Sequence, residues 1–356
     1  MRKLMPISPP PTIIDIAKRA GVSTRAVSSA LNGTGRVSEQ TRSVIRQIAE
    51  EMRYQPRLAA QLMRARTTGG VALIIPTDQA EASESGAHGP LMTNFVDLGE
   101  TEGIRFHFDF VSKARAAHDP APQSFKGAYV DGAIVTDSMP QVPALRDYLM
   151  SQQRYPWVCI NEEAPYCVLS DFDDAAREAI RLLIGVGHRN IAFAFGPLDF
   201  ISHASARSSF EKAAREYDLR VENESRAYFP YKPRREGIAE YVAWATEVLR
   251  RPDHPTAFLC SDMRISRAVI YAALRQGLLV PEDISVTGMG TTGDAEKGYP
   301  CLTSIEPDFR ALAELSYQML KELIEGEQCV QSTRRVPGKL VSRDSVANVP
   351  RGMLCG

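Results

Sequence analysis

Four side chains near the N-terminus, Thr24, Arg25, Ser28 and Ser29, could together contact an anion or the edge of a base. A guanidinium donates two parallel hydrogen bonds, so Arg25 suits a phosphate, a carboxylate or the O6/N7 edge of guanine. Hydroxyl groups reach phosphates but discriminate weakly between bases. If these residues share one face of a helix, a nucleic acid is the expected partner.

The distribution of charge agrees with a polyanion-binding head. The chain carries a formal charge of −1, but residues 1–68 contain twelve Lys or Arg and four Asp or Glu, a formal +8, which leaves −9 for the remainder. Basic residues that neutralise phosphates and release counterions supply most of the sequence-independent affinity for DNA. A solvated face or a basic arm would show the same charge, so the residue pattern must decide.

Three short helices are expected to position these side chains. The predicted spans are residues 13–20, 24–31 and 39–53. Thr12, Ser23 and Ser38 stand at N-cap positions, and Gly21 ends the first helix. Apolar residues repeat on one face of each helix: Ile13, Ile16, Ala17, Ala20, Val27, Leu31, Ile45, Ile48, Ala49 and Met52. The spacing predicts a helix-turn-helix, and leaves a three-helix protein-binding module as an equal alternative.

The residues themselves favour the first interpretation. The motif comprises Thr12, Ile13, Asp15, Ile16, Ala17, Ala20, Gly21, Val22, Ser23, Val27, Ser28, Leu31 and Asn32, followed by Arg36, Val37, Ser38, Thr41 and Arg42. This pattern closely resembles the lac/galactose repressor family of bacterial transcription regulators. The resemblance implies a sequence-specific regulator, most often a repressor, that binds a pseudo-palindromic double-stranded DNA operator as a homodimer.

The resemblance also implies which residues touch DNA: Ile13, Ser23, Thr24, Arg25, Ser28, Ser29, Asn32, Arg36, Ser38, Thr41, Ala60 and Met63. Residues 56–68 correspond to the family's hinge helix, in which Met63 would wedge between base steps in the minor groove. Ser29 stands where the family commonly has Arg, so the preferred half-site is expected to differ. Ser23 and Ser38 are explained equally well as helix caps.

After Val71 the chain alternates buried strands with helices. The predicted strands are residues 71–75, 132–136, 157–160, 191–195, 256–260 and 284–287, and the predicted helices are residues 175–184, 207–217, 235–249 and 265–276. Such alternation indicates parallel sheets with right-handed crossovers. Several stretches resemble the effector domain of the same family, which implies an α/β two-lobed fold similar to periplasmic binding proteins, with ligand in the cleft and three crossings between lobes.

The resemblance assigns effector contacts to Asp78, Asp171, Phe172, Arg207, Asp262 and Met289. A carboxylate such as Asp262 accepts two hydrogen bonds and the guanidinium of Arg207 donates two, a combination suited to vicinal hydroxyls of a carbohydrate. Arg207 could instead be a solvated helix residue, and Asp262 a helix N-cap. The resemblance implies that the ligand is a sugar or sugar derivative. Met289 and Phe172 stand where the family often has Phe and Asn, so the sequence does not specify which sugar.

These observations define the expected domains. Residues 1–11 form an N-terminal extension, 12–55 an all-α three-helix head, 56–68 the hinge helix and linker, 69–345 the effector and dimerisation domain, and 346–356 a tail. Within the effector domain, the N-lobe is expected over about 69–170 and 301–330, and the C-lobe over about 171–300 and 331–345.

Other functions find little support in the sequence. There is no G-x-S-x-G, P-loop, H-E-x-x-H or G-x-G-x-x-G motif, so an α/β enzyme is the weaker alternative, as is a ligand-binding protein without DNA regulation. The six cysteines are scattered without a C-x-x-C pair, and neither a metal nor a cofactor is predicted. The absence of a secretory signal or an 18-residue apolar run predicts a cytoplasmic, nucleoid-associated protein without membrane contact.

Overall fold

The computed structural model describes residues 11–31, 33–52, 54, 67–76, 88–136, 142–196, 198, 201–219, 226–228, 234–327 and 331–349. The chain divides into two compact units, residues 1–68 and 69–356, which are described separately below.

Among its described residues, the first unit contains three helices. They are α1 (Ile13–Ala20), α2 (Thr24–Leu31) and α3 (Glu39–Glu51). The backbone N–H of Thr12 donates to Asp15 Oδ2 at 2.8 Å, and Gly21 ends α1 in the left-handed conformation with φ +66. Ser38 caps α3 by accepting from the Thr41 N–H at 3.2 Å. The caps fall where the sequence predicts them, whereas α3 ends at Glu51 rather than at residue 53.

The core of this unit is small and apolar. Its fully buried residues are Ile16, Ala17, Val27, Ala30, Ile45 and Ala49, and Ile13, Ala20, Leu31, Ile48 and Met52 pack around them. The predicted helix faces therefore do meet in one core. Burying a large aliphatic side chain stabilises the fold by about 1.5–3 kcal/mol. Helices of eight residues are marginal in water when isolated, so this packing is what allows them to form.

The second unit contains two six-stranded sheets. The first sheet has the order β11-β5-β4-β3-β1-β2, with β1 (Gly70–Pro76), β2 (Arg105–Val111), β3 (Gly132–Val135), β4 (Trp157–Ile160), β5 (Cys167–Asp171) and β11 (Thr333–Pro337), all parallel. Its helices are α4 (His88–Glu102), α5 (Lys113–His118), α6 (Gln123–Gly127), α7 (Pro143–Ser151) and α13 (Phe309–Glu325). Together they form the first lobe.

The second sheet has the order β12-β10-β9-β8-β6-β7. Its strands are β6 (Ile191–Phe195), β7 (Arg226–Tyr228), β8 (Ala257–Cys260), β9 (Ser285–Met289), β10 (Thr303–Glu306) and β12 (Lys339–Val341), of which only β12 runs antiparallel to its neighbour. The associated helices are α8 (Asp173–Gly185), α9 (Ile201–Glu216), α10 (Arg234–Leu249), α11 (Met263–Leu274) and α12 (Thr292–Ala295). The central strands are buried on both faces, which explains their continuous apolar sequences.

Within the described residues, the chain crosses between the lobes three times, after β5, after β10 and after β11. The predicted lobe boundaries were wrong at two places: residues 303–306 belong to the second sheet, and residues 333–337 belong to the first. The physical reason is that β10 pairs with β9, whereas β11 pairs with β5, a partner more than 160 residues earlier. Local sequence does not reveal either pairing.

The predicted tail also begins too early. Val286 N donates to the Ser345 carbonyl at 2.9 Å, and Val349 N donates to the Val186 carbonyl at 3.0 Å. Residues 346–349 are therefore part of the second lobe. In the part of the chain that the structure describes, no helix is long and apolar enough to cross a membrane.

Candidate functional site

The helix α2 presents two different faces. Val27 and Ala30 are buried against α1 and α3, while Ser23, Thr24 and Arg25 are exposed. The Ser23 hydroxyl accepts from the Ala26 N–H at 3.2 Å, so it caps the helix as well as lying at the surface. The first turn of α2 therefore offers hydroxyls and one guanidinium to a partner, as the sequence predicts.

The arginines of this unit fall into two groups. Arg19 pairs with Glu51 at 2.6 Å, and Arg42 donates to the Ala30 carbonyl at 3.4 Å while lying 3.5 Å from Glu39. Arg25 and Arg36 are exposed and make no hydrogen bond or ion pair with any residue that the structure describes. The role of Arg42 in joining α2 to α3 was not predicted, although its position within the family motif was a signal.

Other predicted DNA contacts are placed as follows. Ser28, Ser29 and Ile13 are partly exposed, and the Thr41 hydroxyl bonds the Ser38 hydroxyl at 2.7 Å on the exposed start of α3. Asn32, Ala60, Met63 and the predicted hinge helix lie outside the described residues, as does Asp78.

The crossings of the second unit define where a ligand can enter. The carboxyl ends of β5 and β11 in the first sheet lie beside the carboxyl end of β10 in the second, so the crossings join the carboxyl edges of the two sheets. They lie side by side, because the Gly338 N–H donates to the Asp171 carbonyl at 2.8 Å and a β-carbon on Gly338 would be 3.4 Å from the Glu306 carbonyl. The cleft between the lobes is therefore bordered by carboxyl ends of parallel strands, the usual ligand position in open α/β sheets.

Two of the charged residues predicted for this cleft, Arg207 and Asp262, already have partners. Arg207 Nε donates to Glu211 Oε1 at 3.0 Å along α9. Asp262 caps α11 by accepting from the Arg264 N–H at 2.6 Å, and its carboxylate is held by the Arg264 guanidinium at 3.0 Å. The structure does not pair Arg207 with Asp262. The alternative interpretation of Asp262 as an N-cap is correct, which does not preclude a ligand contact.

Phe172 and Met289 are not presented to a cleft. Phe172 is 1% exposed and Met289 is 8% exposed, and both lie in the apolar core beneath α8 and α9. Phe172 points inward because Gly338 of the third crossing covers its ring, where a β-carbon would approach the ring to 3.1 Å. Their role as ligand contacts stays a prediction, and neither side chain is exposed in this structure. Asp171, at the end of β5, is half-buried and accepts from the Asp173 N–H at 3.0 Å.

Polar groups that the sequence did not reveal stand at the ends of β6 and β8. Ser261 Oγ accepts from the Gly196 N–H at 3.0 Å and lies 3.0 Å from His203 Nδ1. Burial lowers the pKa of His203, and nearby Arg264 acts in the same direction while Asp262 opposes it. This cluster offers an imidazole and a hydroxyl. The only sequence signal was the position of Ser261 directly after a buried strand.

A second unpredicted group stands at the edge of the first sheet. Asn161, which follows β4 with φ +55, accepts from the Ser170 N–H at 2.7 Å through its side chain. Ser170 is 5% exposed, and its hydroxyl has no hydrogen-bond partner among the described residues. A buried hydroxyl without a partner costs about 1–3 kcal/mol, so a ligand that bonds it would recover that cost.

A buried ion pair stabilises the second lobe beside the crossings. Arg343 Nη2 donates to Glu306 Oε1 at 2.7 Å, and both side chains are about nine-tenths buried. Ser304 Oγ donates to the same carboxylate at 3.1 Å, and Thr292 Oγ1 donates to its other oxygen. Glu306 is the last residue of β10, so this network fixes the strand end from which the second crossing departs.

Two family profiles match the chain. The profile for bacterial regulatory proteins of the lacI family matches residues 12–57, the three-helix unit, and the profile for a periplasmic binding protein-like domain matches residues 180–346. The chain therefore combines a unit that matches the lacI family of bacterial regulatory proteins with a periplasmic binding protein-like domain, as the resemblance in the sequence predicts. The chain is similar over nearly its full length to the HTH-type transcriptional repressor PurR of Escherichia coli O139:H28 (strain E24377A / ETEC), at 29% identity over 355 residues, 95% of this chain and 98% of that protein.

Solved structures confirm the predicted fold class. The lac repressor dimer bound to operator and the anti-inducer ONPF has a TM-score of 0.81 at 21% identity, covering 95% of this chain and 100% of that one. The complex of the transcriptional regulator CelR with cellobiose has a TM-score of 0.66 at 23% identity, covering 94% and 99%. The comparisons also confirm the predicted class of transcription regulator: the profile over residues 12–57 is that of bacterial regulatory proteins, and the relative that matches 95% of the chain is a transcriptional repressor.

Proposed function

We propose that this repressor binds a pseudo-palindromic operator as a homodimer, and that closure of its cleft around a sugar or sugar derivative sets the affinity. The observation that carries the proposal is that the carboxyl ends of β5 and β11 in one sheet lie beside the carboxyl end of β10 in the other, so a ligand held between those edges contacts both lobes at once. Such a ligand favours one relative position of the lobes. The ligand can change operator affinity by no more than the ratio of its own affinities for the two arrangements of the lobes.

The chemistry of the cleft edges supports a ligand rich in hydroxyl groups. Neutral hydrogen-bonding groups stand at both edges, the hydroxyl of Ser170 on the first sheet and the Ser261–His203 pair on the second. Hydroxyls and imidazoles both donate and accept, as sugar hydroxyls do. In our proposal Arg207 turns from Glu211 to the ligand, while Asp262 keeps its cap and accepts through its remaining lone pairs. One of the similar solved structures, CelR, is a complex with cellobiose.

The exposed residues of the head support operator binding. Arg25 and the hydroxyls of Thr24 and Ser28 lie on the surface of α2, which we call the recognition helix. Ser38 and Thr41 expose hydroxyls at the start of α3. We assign base contacts to Arg25 and backbone contacts to the hydroxyls, because phosphates receive most protein–DNA hydrogen bonds. Met63 remains our proposed wedge in the minor groove. We place the protein in the cytoplasm, on the nucleoid.

The experiment has two stages. Operator sequences are first selected from a random duplex library with the full chain, and the affinity for the selected site is then measured by fluorescence anisotropy across cellobiose, common monosaccharides, sugar phosphates and sugar acids. We expect at least one compound to change the dissociation constant by roughly 5- to 150-fold. A chain that binds the operator but responds to no carbohydrate would refute the ligand class, and one that selects no sequence would refute operator binding.

A further inference from the structure

The loop between α2 and α3 folds back over the recognition helix. Gly35 has φ +74, and a β-carbon there would lie 2.9 Å from Ser29 Oγ and 3.2 Å from Ser29 Cβ. The Thr34 N–H donates to the Ser29 carbonyl at 3.0 Å, which holds the loop in this position. Glycine is favoured at position 35, because φ is in the left-handed region and a β-carbon would press on the Ser29 side chain.

This contact turns the Ser29 hydroxyl towards the loop. Its hydroxyl faces the backbone of Gly35, so a long side chain at position 29 would have to displace the loop. Residues four apart in a helix share a face, so Ser29 lies on the same face as Arg25. The loop therefore covers the last turn of the face that reads bases. A long side chain that reaches a base at that end of the half-site therefore comes from the loop rather than from position 29.

Arg36 is the loop residue with suitable chemistry. It directly follows Gly35, so its Cα lies about 3.8 Å from that of Gly35. Its side chain is exposed, and within the described residues its guanidinium has no partner, in contrast to those of Arg19 and Arg42. The backbone of Arg36 is therefore close to Ser29, and its guanidinium is available to form a bidentate pair with a base.

Taking DNA binding by the head as given, we propose that Arg36 reads a guanine of each half-site, and that the Gly35–Ser29 contact positions it to do so. The recognition helix supplies one guanidinium, Arg25, and the loop supplies the other. A bidentate guanidinium–guanine pair discriminates by its two parallel donors, which the single ammonium of lysine does not reproduce.

The test is selection of operators from a random library, followed by titration, with the full chain and its variants. Arg36→Ala is expected to lose base preference at one symmetry-related pair of positions and to bind the wild-type operator roughly 5- to 150-fold more weakly. Arg36→Lys is expected to lose the same preference while binding random DNA as well as the wild type. Arg46→Ala is the control, because Arg46 is also exposed and without a partner among the described residues, but lies on α3.

The control variant is expected to leave every base preference unchanged. The proposal is refuted if Arg36→Ala weakens binding to selected and random DNA by the same factor, since Arg36 would then contact only phosphates. It is also refuted if Ser29→Ala abolishes a base preference that Arg36→Ala retains. Failure of the wild-type chain to select any sequence would refute DNA binding by the head, and this proposal with it.

Discussion

The environment of His188 predicts how the stability of the effector domain depends on pH. The ring lies just before β6 and is 1% exposed; Nδ1 is 2.8 Å from Thr256 Oγ1, and Nε2 is 2.9 Å from Ser285 Oγ and 3.1 Å from the Ala347 carbonyl. It therefore joins three segments at the end of the second sheet opposite the cleft. Burial lowers its pKa from 6.5 to about 4, although the hydrogen bond to Ala347 opposes that change.

The direction and size of the effect follow from linkage. A depressed pKa means that the folded state favours neutral imidazole, so the stabilisation is complete above pH 6.5 and is lost as the pH falls towards 4. The pKa difference is about 2.5 units, and each unit corresponds to about 1.36 kcal/mol. Protonation of His188 is therefore expected to lower the free energy of unfolding, relative to pH 7, by about 2 kcal/mol at pH 5 and about 3 kcal/mol at pH 4.

The assay compares urea unfolding of the wild type and His188→Gln between pH 7 and pH 4. The amide side chain keeps hydrogen-bonding capacity but does not titrate, so the variant is expected to be less stable at pH 7 and to lose less stability on acidification. Titration of the His188 Cε1–H resonance measures its pKa directly. Equal pH dependence of the two proteins, or a resonance that titrates near 6.5, would refute the reasoning.

Four further predictions concern other residues. Glu306→Gln removes the buried carboxylate partner of Arg343 and leaves it only the exposed Glu296, 3.5 Å away. The variant is expected to lower the free energy of unfolding by roughly 3 kcal/mol in urea, with recovery on adding Arg343→Met; a loss below about 1 kcal/mol would contradict this. Ser38→Ala removes the acceptor for the Thr41 N–H and should destabilise the head by about 1 kcal/mol, which hydrogen exchange of α3 amides measures; unchanged protection would contradict it. Arg207→Ala should reduce the response of operator affinity to ligand by tenfold or more, on the order of 1.4 kcal/mol, and an unaltered response in anisotropy would exclude the residue from the site. Met63→Gly should lower both operator affinity and DNA bending, and unchanged bending in a gel-shift or FRET assay would disprove the wedge.

The sequence predicts best those elements whose signal is local. Two caps and two strands are found where expected: the caps at Thr12 and Ser38 and the strands Trp157–Ile160 and Ile191–Phe195. Caps and continuous apolar runs depend on residues that are neighbours in the sequence. The strand Arg105–Val111 was missed. It lies at an edge of the first sheet with Phe108 and Phe110 exposed, so its pattern lacks the apolar run of a central strand.

The features that escaped prediction depend on distant partners. Phe172 is buried because Gly338 folds over it, and β10 belongs to the second sheet because it pairs with β9. The same applies to Ser29, whose contact with Gly35 depends on how a loop folds. Residue types therefore identified the family and the chemistry of the head, whereas the orientation of individual side chains in the effector domain required the tertiary structure.

The central claim, that a ligand in the cleft and DNA at the head are coupled, is tested most directly by reciprocity. The dissociation constant of the full chain for its selected operator is measured with and without a carbohydrate that binds it, and that of the carbohydrate is measured with and without operator. The account predicts that the two constants change by the same factor, roughly 5- to 150-fold. If a carbohydrate binds and neither constant changes, the two sites are independent and the account is contradicted.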